Sequence, residues 1–294
     1  MRGTTVAVGL SLLATVSIPN TVPAQQPFRG AARAVALYAT VQDGGGRLVP
    51  SLTRGDFQVL DDGTSVELTV FSNDIQDITV VLLLDMSTSV ASEFTRIRDA
   101  ARHFVDQLQP GDRVRIGTFG AEVALSPWLT GDRARLRQII DEELWPGGST
   151  PLYAALDAAM TSLNEEPGRR VLLALTDGAD VSAVTRERRQ VPAEVARRAV
   201  EGGFLLYAIG LEGPGLAKNI IALADETGGG RFELTRNAEL APTMARVVEE
   251  LHYQYVLGFV PARLDGRTHR LEVRVKDPRF TARARKSYVA ELDR

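Results

Sequence analysis

Asp85, Ser87 and Ser89 stand at alternate positions directly after an apolar run that begins at Ile78. All three side chains end in oxygen. A carboxylate with two hydroxyls is a donor set for a hard cation such as Mg²⁺, which takes oxygen ligands and only one or two carboxylates. Two further stretches offer the same chemistry. Gly147-Gly148-Ser149-Thr150-Pro151 precedes a helix-like segment, and its glycines allow a hydroxyl to be presented from close backbone. Thr176-Asp177-Gly178 closes a second apolar run that starts at Val171. Taken singly, each has a plainer reading: serines and threonines cap helices, and Asp-Gly makes turns. Together they require the two apolar runs to be neighbours, so that Asp85 and Asp177 meet at one sheet edge.

The elements that must position these groups are legible. Short apolar runs ending in polar residues suit strands buried on both faces of a parallel sheet, and the carboxyl ends of such strands are where open α/β sheets bind ligands. Between residues 75 and 252 strands alternate with helices. Phe94, Ile97, Ala101, Phe104 and Leu108 mark one helical face, stopped by Pro110-Gly111. Helices are expected from Asp132 to Ile140, Leu152 to Leu163, Val195 to Val200 and Leu216 to Thr227, and a last one carries Leu240, Met244, Val247 and Leu251. Strands are expected at Val114 to Phe119, Phe204 to Ile209 and Phe232 to Leu234. Alternation of this kind gives a doubly wound, Rossmann-like, mostly parallel sheet.

Both flanks read as β. Val35, Leu37, Ala39 and Val41 alternate, and Asp61-Asp62-Gly63 turns the chain between two further period-two runs. After the last helix, Tyr255 to Val260, then Leu271, Val273 and Val275, then Phe280, Ala282 and Ala284 follow the same period. Neither flank has enough strands to be stable alone. The economical arrangement is a small antiparallel β domain, a β-sandwich, built from residues 25–74 and 253–294, with the α/β unit of residues 75–252 inserted in it.

Residues 1–24 read as a signal peptide. Arg2, an apolar stretch from Val6 to Ile18, and small residues at Val22-Pro23-Ala24 fit the pattern, and a disordered or helical N-terminal extension is the alternative. No later segment is apolar enough to span a bilayer, so the mature chain is expected without an integral membrane segment, in the periplasm or outside the cell. The chain has no cysteine, which excludes thiol catalysis, thiolate zinc and disulfides. A formal net charge of -3 does not suit a nucleic-acid binder.

The ordered set Asp-x-Ser-x-Ser, Gly-Gly-Ser-Thr-Pro and Thr-Asp-Gly resembles the metal-ion-dependent adhesion site of von Willebrand factor type A domains. The flanks, with Gly55-Asp56-Phe57 to Gly63 before and Tyr255-Val256-Leu257-Gly258 after, resemble a bacterial group of secreted proteins related to that domain. The resemblance implies Asp85, Ser87, Ser89, Thr150 and Asp177 as ligands of Mg²⁺, with Mn²⁺ or Ca²⁺ as substitutes. It implies a coordination position left for an Asp or Glu of a protein partner, and hence adhesion or scaffolding. It also implies a last helix able to retune the site.

Two other functions compete. An Mg²⁺-dependent phosphoester hydrolase of the haloacid dehalogenase type would want a second Asp at position 87, where Ser87 stands. Neither a Gly-x-x-x-x-Gly-Lys loop nor a Gly-x-Ser-x-Gly elbow occurs. The other alternative is a structural envelope protein with no metal-mediated partner. Elsewhere Asp99 and Asp180 are expected to be solvated, and no second metal site is expected. His103, His252 and His269 lack ligand spacing and are expected to be structural. Trp128 and Trp145 are expected to pack, with Trp145 near the Thr150 loop.

Overall fold

The computed structural model describes residues 34–178 and 191–292. The expected signal peptide and Asp180 lie outside the described residues. Fourteen strands and six α-helices follow in the order β1 (Val35–Asp43), β2 (Phe57–Asp61), β3 (Thr64–Val66), β4 (Val70–Ser72), β5 (Thr79–Asp85), α1 (Phe94–Asp106), β6 (Arg113–Phe119), β7 (Val123–Leu125), α2 (Arg133–Glu142), α3 (Leu152–Leu163), β8 (Arg170–Thr176), α4 (Val191–Glu201), β9 (Leu205–Gly210), α5 (Lys218–Thr227), β10 (Arg231–Glu233), α6 (Leu240–His252), β11 (Tyr255–Phe259), β12 (Thr268–Val275), β13 (Phe280–Arg283) and β14 (Ser287–Val289).

The central sheet has six strands in the order β10-β9-β8-β5-β6-β7. Its pairings are parallel except for β6 with β7. Every residue of β5 is buried, which explains its lack of polar alternation: Val80, Leu82 and Leu84 face a core shared with α1, α2 and α6, while Val81 and Leu83 face one shared with α3, α4 and α5. Helices on both faces leave no wet side. Strand β7, a short antiparallel edge, was not expected from the sequence; three residues carry too little periodicity to stand out.

The flanks form two four-stranded sheets, β13-β1-β11-β4 and β14-β12-β2-β3. Strand β1 pairs with β11 and then β13, and β2 pairs with β12, all antiparallel. Each sheet thus joins strands from before and after the α/β unit. Leu37, Ala39, Val41, Phe57, Val59, Tyr255, Leu257, Phe259, Leu271 and Tyr288 fill the core of the sandwich.

A buried polar seam joins the two parts. Glu250 of α6, fully buried, takes hydrogen bonds from Arg283 of β13 and Gln42 of β1. Arg169 donates to Gln254 at 2.8 Å and to the Leu251 carbonyl. Gln254 in turn donates to Thr40 and Tyr207 at 3.1 and 3.2 Å. Each of these side chains has a partner, as burial of charge demands, although the buried Nε atoms of Arg169 and Arg283 have none among the described residues. No helix among the described residues is long and apolar enough to cross a membrane.

Candidate functional site

Strands β5 and β8 are direct parallel neighbours, in register from Thr79 with Arg170 to Leu84 with Leu175. Asp85 and Thr176 therefore end side by side, and Asp177 follows immediately. The Asp85 carboxylate is fully buried. One oxygen accepts the Ser87 backbone N–H at 2.9 Å, the other the Thr176 hydroxyl at 2.7 Å. The Ser87 and Ser89 hydroxyls lie 3.0 Å apart. Ser87 is buried and Ser89 exposed.

The Thr150 loop is tied to this first loop by backbone. The Thr88 N–H and hydroxyl both donate to the Gly148 carbonyl at 3.1 Å, and the Gly147 N–H donates to the Met86 carbonyl at 2.6 Å. Gly148 has φ +86, and a Cβ there would run into the backbone of Ala121. A residue with a side chain could not bring the loop so close. Thr150 itself is buried, at 3% exposure, while Ser149 is exposed.

Burial, the largest effect, raises the Asp85 pKa above the ordinary carboxylate value, and the nearby Asp177 charge raises it further; hydrogen bonds from Ser87 and Thr176 oppose this. Among the described residues, the hydrogen-bond partners of Asp85 are hydroxyls and an amide, with no lysine or arginine. Among the described residues, then, no basic side chain pairs with this buried carboxylate.

Residues 80–179 match the family profile described as the von Willebrand factor type A domain. The α/β unit has the von Willebrand factor type A fold. A von Willebrand factor type A protein from Catenulispora acidiphila is similar in fold, with a TM-score of 0.54 at 14% identity over 91% of this chain and 76% of that one. Proximal thread matrix protein 1 from the mussel byssus, in a structure with a zinc-occupied MIDAS motif, gives a TM-score of 0.51 at 20% identity over 64% of this chain. The alignment spans about half, 48%, of the mussel protein. No curated protein matches the chain.

Several expectations need correction. Trp145 is 76% exposed and Trp128 45%, so neither is a buried packing residue; Trp128 instead lies under the Arg135 guanidinium. Trp145 sits on the von Willebrand domain's loop before Gly147 because Leu144 takes the inward position. His252 is structural as expected: it is buried against Asp112 at 2.9 Å. Asp99 is largely exposed and pairs with Arg102. His269 is different. A ring nitrogen of His269 and one carboxylate oxygen each of Asp61 and Asp62 lie within 4.8 Å of one another in the sandwich. Sequence spacing could not find this group, since Asp61 and His269 lie 208 residues apart. The only signal was indirect: the Asp61-Asp62-Gly63 turn and the His269 strand belong to flanks that must pair.

Proposed function

We propose that the chain is an exported, metal-dependent protein-binding module serving adhesion or scaffolding rather than catalysis. In this reading Asp85, Ser87, Ser89, Thr150 and Asp177 hold one Mg²⁺, with Mn²⁺ or Ca²⁺ able to replace it. One observation carries the reading: a fully buried carboxylate, close enough to a second one to feel its charge, bonded to hydroxyls and with no basic partner among the described residues. A divalent cation supplies the missing charge, and hard oxygen donors fit Mg²⁺. The zinc-occupied motif of the mussel protein is consistent with a divalent ion at this place in the fold.

The five side chains contribute at most two negative charges and three neutral hydroxyls, so the bound ion keeps a net attraction for an anion. An Asp or Glu of a protein partner completes its coordination. Exposed Ser89 and Ser149 leave the approach open. A charge-assisted contact through the ion, in a partly dry site, is far stronger than an exposed salt bridge. The second aspartate of the haloacid dehalogenase pattern is not reproduced, since Ser87 occupies its position.

Capture of envelope and culture-medium proteins by the mature chain, in Mg²⁺ and in EDTA, tests the reading. Proteins retained only in Mg²⁺ and lost with Asp177→Ala are expected. An identical set under both conditions overturns metal-mediated recognition. Magnesium-dependent phosphoester turnover abolished by Asp85→Ala would make the protein an enzyme instead.

A further inference from the structure

We infer that the β-sandwich carries a second metal site, for a borderline transition ion such as Zn²⁺ or Co²⁺, built from Asp61, Asp62 and His269 and braced by Asp265 and Tyr288. The inference is independent of the Mg²⁺ reading, because no residue is shared and the group lies in the other part of the protein.

The register brings the ligands together. Strand β2 ends at Asp61, paired with Leu271 of β12, and His269 stands two residues before Leu271 on the same face. Asp62 follows in the tight turn to β3, at φ +48, with Gly63 also at positive φ. That geometry suits the Asp-Gly hairpin pair. His269 is 2% exposed and Asp61 8%.

The His269–Asp61 contact is a hydrogen bond as it stands, and the neighbouring oxygens lie close enough for a cation to take the proton's place. The His269 Nδ1 atom faces Asp61 Oδ1 at 2.9 Å, Tyr288 OH at 3.3 Å and Asp62 Oδ2 at 3.7 Å. One ring nitrogen has one proton to give, yet three oxygens converge on it. Ligands at about 2.0–2.2 Å from a tetrahedral ion are separated by about 3.3–3.6 Å; the 3.7 Å from His269 Nδ1 to Asp62 Oδ2 is close to that range, and the 2.9 Å to Asp61 Oδ1 has to open for an ion to enter. The imidazole selects a borderline metal over Mg²⁺.

The surrounding groups are those that orient metal ligands. His269 Nε2 lies 3.2 Å from Asp265, the arrangement in which a ligating histidine donates its far N–H to a carboxylate. Tyr288 OH donates to Asp61 Oδ2 at 3.0 Å, and the Arg270 N–H donates to Asp62 Oδ1 at 2.9 Å. Each carboxylate thus has one oxygen fixed by a donor and the other turned towards the ring, Asp61 Oδ1 in a hydrogen bond with it and Asp62 Oδ2 shared with Arg263. Arg263 contacts Asp62 Oδ2 at 3.3 Å and must swing away; at 65% side-chain exposure it can do so. Asp62, 40% exposed, leaves an opening for water as the remaining ligand. An ion here would pin together the ends of β2 and β12, which the chain supplies from opposite flanks.

Co²⁺ titration of the mature chain in excess Mg²⁺, followed by visible absorption, tests the inference. Expected is one Co²⁺ per chain with d–d bands, displaced by Zn²⁺ and retained in Asp177→Ala. The bands should vanish in His269→Gln and weaken about 10–100-fold in Asp265→Asn. Asp62→Asn, in an exposed turn, should also weaken binding and keeps the test decisive if His269→Gln fails to fold by circular dichroism. No bands in the wild type, or uptake unchanged in Asp62→Asn and Asp265→Asn, would overturn the site and leave a histidine bridging carboxylates through hydrogen bonds.

Discussion

Replacing Thr176 by valine removes one hydroxyl from beneath the sheet-edge site and keeps the shape of the side chain. Thr176 is fully buried at the end of β8, and valine keeps its branched shape and strand preference. What disappears is the 2.7 Å hydrogen bond to Asp85 Oδ2, together with a long one of 3.4 Å that the hydroxyl accepts from the Gly178 N–H. A hydrogen bond to a charged group contributes about 1.5–3 kcal/mol, and that loss falls on the ionised form. The Asp85 pKa, already raised chiefly by burial, therefore rises further. Because a proton and a cation compete for the same carboxylate, Mn²⁺ affinity should fall about 10–100-fold, most steeply at acid pH. The metal-free protein should show the converse. Its folded form holds the Asp85 proton to higher pH than the unfolded chain, so this group's contribution to stability declines as pH rises from the ordinary value through the raised one. The valine variant should widen that window upward, and saturating Mn²⁺ should abolish it. Titration calorimetry across pH, with urea denaturation with and without metal, provides the readout. Unchanged affinity together with an unchanged pH profile, in a folded variant, would refute the claim that Thr176 tunes a metal-binding Asp85.

Three other substitutions probe different links. Asp177→Ala should abolish divalent-ion binding while leaving thermal unfolding of the metal-free protein little changed or slightly raised, since it removes a charge that repels Asp85; outright unfolding would mean the residue is structural. Gly148→Ala should displace the Thr150 loop, because φ +86 and the Ala121 backbone both oppose a side chain, and ion affinity should drop with the secondary structure intact by circular dichroism. Glu250→Ala strands the part-buried Arg283 beside Tyr207, and should cost about 3–5 kcal/mol in denaturant unfolding; a cost below about 1 kcal/mol would mean that the seam does not hold the two parts together.

The α/β unit was readable because its signals are local. Val80 to Leu84 advertise burial on both faces, and α3 from Leu152 to Leu163 follows an unbroken apolar pattern. Five candidate ligands were visible as residue types, and the neighbouring of β5 and β8 supplies the condition the sequence could only assume. The joining of the flanks followed from strand number alone. What the sequence hid was register. Asp61 meets His269 only because Leu271 pairs with Asp61, and nothing in either segment encodes that alignment by itself. The two tryptophans misled for a related reason. Size suggests burial, but Leu144 takes the inward place beside Trp145, and Arg135 covers Trp128 from outside.

The interleaving of β1 with β11 and β13, and of β2 with β12, has a mechanical consequence. Tension applied between the two ends of the chain passes through hydrogen-bonded ladders of the sandwich, because strands from the leading segment are stitched to strands from the trailing one. The inserted unit hangs outside that line of load. An anchored copy could therefore be pulled without straining the loops around Asp85, until the ladders themselves give way.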